Sequence, residues 1–140
     1  MPFFGVLPEP EKAIMEVASK YGLIFETDSF GTPRKWYPNM WSHGIAERMI
    51  AGFFSQWIIP IVLKTALLPE IESVMAGEIP EQDFESDPVA FVECTPEQTF
   101  FYGSGVGLED ITIPTEDFLA IAKEWLAYLE SGEWRKEAND

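Results

Sequence analysis

Of the side chains that most often bind metals or act as nucleophile and base, the 140 residues hold one cysteine and one histidine. Cys94 alone cannot close an internal disulfide, and a Cys-rich zinc site is excluded with it. A lone thiol suits a reducing compartment. It ends an apolar stretch with no cation beside it to lower its pKa, and so reads as a buried structural cysteine. Any Ser–His–acid or Cys–His arrangement would have to use His43. No nucleophile motif such as Gly-x-Ser-x-Gly accompanies it, and His43 reads as a polar residue near the start of a helix.

Long apolar runs are missing as well. The longest, residues 57–68, is interrupted by Pro60 and Lys64, whereas a helix that crosses a bilayer takes about 20 apolar residues. Met1-Pro2-Phe3-Phe4-Gly5 has neither the basic region nor the apolar stretch of a signal peptide. The expectation is a cytoplasmic protein with no membrane association.

Positive charge is scarce. Nine Lys and Arg stand against 24 Asp and Glu, a formal net charge of -15. Nucleic acid and anionic membranes repel such a chain, which argues against direct binding to either. The shortage is concentrated in one place. Between Lys64 and Lys123 there is no Lys, Arg or His, although thirteen acidic residues lie there. Glu70, Glu72, Glu78, Glu81, Asp83, Glu85 and Asp87 are the first candidates for contact with a basic partner, and Glu109 and Asp110 the second.

What the chain does have is apolar material. Hydrophobic residues make up 46% and aromatics 14%, enough for one domain with its own core and no need of metal or disulfide. Ala13, Ile14, Val17, Ala18 and Tyr21 recur at helical spacing over residues 9–21, with Pro10 in the first turn and Gly22 as the stop. Residues 23–26 read as a short strand and 27–39 as a turn-rich stretch. Ser42 reads as the cap of a second helix over 43–57 that Pro60 kinks or ends. Residues 61–68 and 70–76 read as two further short helices.

Residues 78–88 read as an acidic loop. Residues 89–94 and 99–102 form a hairpin around Thr95-Pro96-Glu97-Gln98, and 110–113 a third strand. Thr115 caps a last helix, with Glu116 and Asp117 in its first turn, an apolar stripe from Phe118 to Leu129, and Gly132 at its end. The expected fold is α+β: a helical N-terminal half, a three-stranded antiparallel meander, and a C-terminal amphipathic helix packed on the sheet.

Several constellations fall short of chemistry. The acids of 78–87 have the composition of a calcium loop but neither its spacing nor its central glycine. Gly103-Ser104-Gly105-Val106-Gly107 lacks the pattern, and the following helix, of a phosphate-binding loop. Carboxylates are plentiful, yet nothing selects two of them as an acid/base pair. No metal, cofactor or catalytic residue is expected. Trp36 and Trp41, with Tyr37 and Met40, pin a loop to the core or anchor an interface.

The stretch Asp110-Ile111-Thr112-Ile113-Pro114-Thr115, followed by Phe118, Leu119, Ile121, Trp125, Leu126 and Leu129, resembles the strand-then-helix ending of small acidic bacterial immunity proteins, including those of contact-dependent inhibition systems. The resemblance covers about thirty residues and implies a cytoplasmic inhibitor bound to one cognate toxin domain. An acidic surface facing the basic cleft of a nuclease toxin would gain steered association and block the substrate site. The other readings are a soluble domain whose acidity keeps it in solution, a nucleic-acid mimic that inhibits a defence protein, and a carboxylate enzyme.

Overall fold

A computed structural model of the chain describes residues 15–86, 90–103 and 109–138. It begins with α1 (Glu16–Lys20), which Gly22 at φ 67° turns into β1 (Leu23–Phe30). β2 (Lys35–Ser42) returns antiparallel to it, Leu23 opposite Ser42 and Phe30 opposite Lys35. The first part of the helix expected over 9–21 lies outside the described residues.

This hairpin is the first correction to the expected fold: the strand expected over 23–26 runs on to Phe30 and pairs with a second strand, so the N-terminal half is helical only in part. The stretch 27–39 was expected to be turns because of its prolines. Pro38 instead sits inside β2, which is tolerated in a two-stranded sheet because each strand has an edge that needs no N–H donor. Trp36, Tyr37 and Trp41 favour the extended conformation.

Ser42 is correspondingly the last residue of β2 and not a helix cap, and α2 is the shorter Glu47–Phe54. Chain and helix are pinned together just beyond it. The Ser55 hydroxyl accepts the Met40 N–H at 3.0 Å and lies 3.0 Å from the Met40 carbonyl. α3 (Pro60–Val62), a π-helical turn (Leu63–Leu67) and α4 (Leu68–Met75) then run on continuously. The two short helices expected over 61–68 and 70–76 are thus one run through Pro69. The wider turn before it absorbs the proline, with the Leu68 N–H bonding to the Leu63 carbonyl five residues back.

The second correction is to the sheet. It has four strands, not three, in the order β3 (Gln82–Ser86), β4 (Ala90–Cys94), β5 (Gln98–Gly103), β6 (Ile111–Pro114), all antiparallel. β3 falls in the stretch expected to be an acidic loop. Phe84 is its one buried hydrophobic residue, too little to mark a strand by alternation, and the edge of β4 supplies the backbone partners.

α5 (Thr115–Ser131) follows β6 without a break, and Gly132 at φ 74° turns the chain into α6 (Glu133–Ala138). Thr115 is fully buried as the first helical residue, and is not the cap. Its hydroxyl donates to the Thr95 carbonyl at 2.6 Å and lies 2.8 Å from Thr99 Oγ1, tying the helix start to the β4–β5 turn.

The sheet's inner face and the helices enclose an aromatic centre. Phe53 on α2 meets Phe54, Phe84, Phe101 and Phe118 with ring centroids 5.2–6.0 Å apart. A second group joins the hairpin to α5: Phe25 lies 5.0 Å from Trp125 and 5.5 Å from Tyr128. The buried Trp125 donates its Nε1–H to the Trp57 carbonyl at 2.7 Å. No helix of the described residues is long and apolar enough to cross a membrane.

Candidate functional site

Strand geometry sends alternate side chains to opposite faces, and in the four-stranded sheet the two faces differ sharply. Phe84, Val92, Cys94, Thr99, Phe101 and Ile113 are buried inward. The outward positions carry two rows. In one, Asp83 stands opposite Glu93, Glu93 opposite Phe100, and Phe100 opposite Thr112. In the other, Glu85 stands opposite Phe91, and Phe91 opposite Tyr102.

Three aromatic rings therefore meet on the solvent side. Tyr102 lies 6.1 Å from Phe91 with a 30° tilt, and 6.1 Å from Phe100 with an 11° tilt. Phe91 and Tyr102 keep 39% and 38% of their surfaces exposed, far more than aromatic side chains that serve only the core.

Acid surrounds this platform. The Tyr102 hydroxyl donates to Glu93 Oε1 at 3.2 Å. Partial desolvation, then that hydrogen bond and the charges of Glu93, Asp110 and Asp83, push the phenol above its usual pKa. Glu81, Asp83 and Glu93 each bring a carboxylate oxygen within 4.8 Å of the other two. Three such groups have the spacing to share one cation, although exposed acids also gather in this way without one. Asp110 accepts the Gly103 N–H at 2.8 Å, closing the far end of β5.

No cation offsets these charges from within the sheet, since residues 65–122 contain no Lys, Arg or His. The ion pairs Lys20–Asp117, Lys64–Glu130 and Lys123–Glu72 lie elsewhere.

The acids singled out in the sequence divide accordingly. Glu81, Asp83 and Glu85 belong to this surface, and Asp110 lies at its end beside the exposed Glu109. Glu70 and Glu72 are on α4, where Glu72 faces Lys123 at 3.9 Å. Glu78 is in the turn after α4, and Asp87 lies outside the described residues. Trp36 and Trp41 are on the hairpin, five positions apart along β2 and so on opposite faces. Each is covered by an arginine of its own chain, Arg34 at 5.7 Å and Arg48 at 4.6 Å.

Phe91, Glu93, Phe100 and Tyr102 were missed in the sequence. Apart from Glu93 and Thr99 their strands read as mostly apolar, and only the register shows which members face out. Of the two groups considered for chemistry, Cys94 is fully buried and its thiol is pushed up by burial, against the hydrogen bonds of Thr99 and Thr115, while His43 is exposed. Among known proteins, no family model, curated protein or solved structure matches the chain.

Proposed function

We propose that this protein is an acidic inhibitor of the immunity-protein kind, which works in the cytoplasm by occupying the cationic cleft of a basic cognate toxin domain, a nuclease by charge logic. One observation carries the reading: the four-stranded sheet displays acids around an exposed aromatic centre, in a segment without a single basic residue. A polyanion-binding cleft is basic by necessity, and an acidic surface with an apolar middle offers it both steering and a point of anchorage. The direct passage from β6 into α5 supports the same reading, because it is the feature on which the resemblance to immunity proteins rests. The protein acts by binding, with no cofactor and no catalytic residue.

The test is capture from the source organism on the tagged protein, at low and at moderate salt. The expected result is one basic protein held at both, whose enzymatic activity falls when the inhibitor is added in equal amount. Capture of many nucleic-acid-binding proteins that wash off with salt would indicate a nucleic-acid mimic instead. Recovery of no basic protein at either salt would overturn the reading.

A further inference from the structure

We propose that the outer face of the four-stranded sheet, centred on Tyr102 between Phe91 and Phe100, is the docking surface, and that it takes an arginine-bearing segment of the basic partner in preference to a lysine-bearing one. This rests on the inhibitor reading for the partner's charge, but it assigns the surface and the side chain recognised.

The aromatic platform is the first ground. Three rings on the solvent side of a sheet expose apolar area that the fold itself does not use, and such area marks a contact surface when charged groups rim it. With tilts of 11° and 30°, the faces of Phe100, Tyr102 and Phe91 form a nearly flat stack. A guanidinium is planar and weakly hydrated, and lies over aromatic faces while its edge donates to carboxylates. An ammonium is compact and strongly hydrated, and gains less from a flat ring.

The chain's own arginines are the second ground. It has three, Arg34, Arg48 and Arg135. Each lies over a tryptophan ring: Arg34 over Trp36 at 5.7 Å, Arg48 over Trp41 at 4.6 Å, and Arg135 over Trp134 at 4.9 Å. Among the described residues no cation lies over Phe91, Phe100 or Tyr102, although carboxylates stand ready beside them. Lys20 lies over Tyr21 at 5.7 Å as well, so the chain's rings attract cations of both kinds, every arginine among them, and the sheet offers the same arrangement with the cation left out.

Charge complementarity is the third. Asp83 and Glu93 are directly opposed, and Glu81 comes within 4.8 Å of both. Like charges held so close raise the energy of the free protein, and a cation brought by the partner relieves it. A small metal ion would meet the carboxylates alone and leave the rings unused, which is why a side chain with a flat apolar face is the better occupant.

The test uses the full chain, labelled for amide NMR and titrated separately with hexa-arginine and hexa-lysine peptides at about 0.15 M salt, where long-range attraction is screened. Hexa-arginine is expected to bind tighter by roughly three-fold or more, the size of a solvated cation–π contribution. The shifts should centre on Phe91, Glu93, Phe100 and Tyr102. Tyr102→Leu should abolish the preference between the peptides, and Asp83→Asn should weaken both alike. Equal binding of the two peptides, or shifts centred on the acids of α4, would overturn the proposal. Failure here is distinct from failure of the inhibitor reading. A partner captured by the wild type and held as tightly by Tyr102→Leu would remove this surface and leave the inhibitor. A clear arginine preference with no partner captured would keep the surface and remove the inhibitor.

Discussion

Asp83 and Glu93 face each other across β3 and β4 on the outer side of the sheet, two like charges at directly paired positions. An opposed like-charged pair destabilises a sheet, by about 0.2–1 kcal/mol on the scale of cross-strand pairs. Asp83→Asn should therefore make the free protein more stable by that amount, seen as a higher urea midpoint with unchanged slope. Added salt should stabilise the wild type more than the variant, because screening relieves only a repulsion that is present. A lower midpoint for Asp83→Asn would show that the pair is not repelling.

Glu124 on α5 acts as a cap for a helix far away in sequence. Its two carboxylate oxygens accept the N–H groups of Val17 at 3.0 Å and Ala18 at 2.8 Å, in the first turn of α1. Those donors have no partner within the helix. Glu124→Ala should cost about 1–2 kcal/mol, as loss of a good cap does. Amide exchange at Val17 and Ala18 should speed up roughly ten-fold or more, with little change in the four-stranded sheet. Unaltered exchange at both amides would refute the capping role.

Tyr21 and Asp117 form a pH-sensitive link. The Tyr21 hydroxyl donates to Asp117 Oδ2 at 2.5 Å, and Lys20 Nζ lies 3.1 Å from the same oxygen. Burial first, then the hydrogen bond and the charge of Asp117, raise the phenol well above its ordinary value of 10.0. The folded state thus keeps a proton that the unfolded chain releases, so this contribution is fully present below pH 10 and declines as pH rises beyond it. Tyr21→Phe should be less stable than the wild type at neutral pH and lose less stability between pH 10 and higher values. Parallel denaturation series in alkaline buffers would show the two curves converging; parallel curves would contradict the assignment.

Phe53 and Phe91 should respond in opposite ways to the same truncation. Phe53 is fully buried at the meeting point of four other phenylalanines, and Phe91 is 39% exposed on the outer face. Phe53→Ala should cost about 3–5 kcal/mol. Phe91→Ala should change stability by less than about 1 kcal/mol and be felt in binding. Thermal or denaturant unfolding of the two variants measures this difference; equal losses would place Phe91 in the core.

The parts that sequence periodicity revealed are those whose apolar residues recur on one face. α5 is the clearest, with Phe118, Ile121, Ala122, Trp125 and Leu129 all buried. The strands β4, β5 and β6 were legible within a residue or two. Of the β1–β2 hairpin only residues 23–26 were legible as strand, because prolines and glycine masked the rest of a pair of strands whose edges have no central-strand duty. β3 was hidden because one buried phenylalanine among acids looks like a loop. At the site, the charge asymmetry was visible in the composition, and Glu81, Asp83, Glu85 and Asp110 were selected from it. The aromatic centre was not visible, since which of Phe100 and Phe101 points outward depends on a pairing register that no local pattern fixes.

The four-stranded sheet places the proposed docking surface and the core on neighbouring residues of the same strands. Phe84 is buried while Asp83 and Glu85 are exposed; Val92 is buried between Phe91 and Glu93; Phe101 is buried between Phe100 and Tyr102. Substitutions at every second codon of this stretch can therefore alter the outer surface while the interior keeps its shape. On the inhibitor reading, a lineage facing a changing toxin would revise its docking face by single steps, each nearly neutral for folding, within one uninterrupted stretch of sequence.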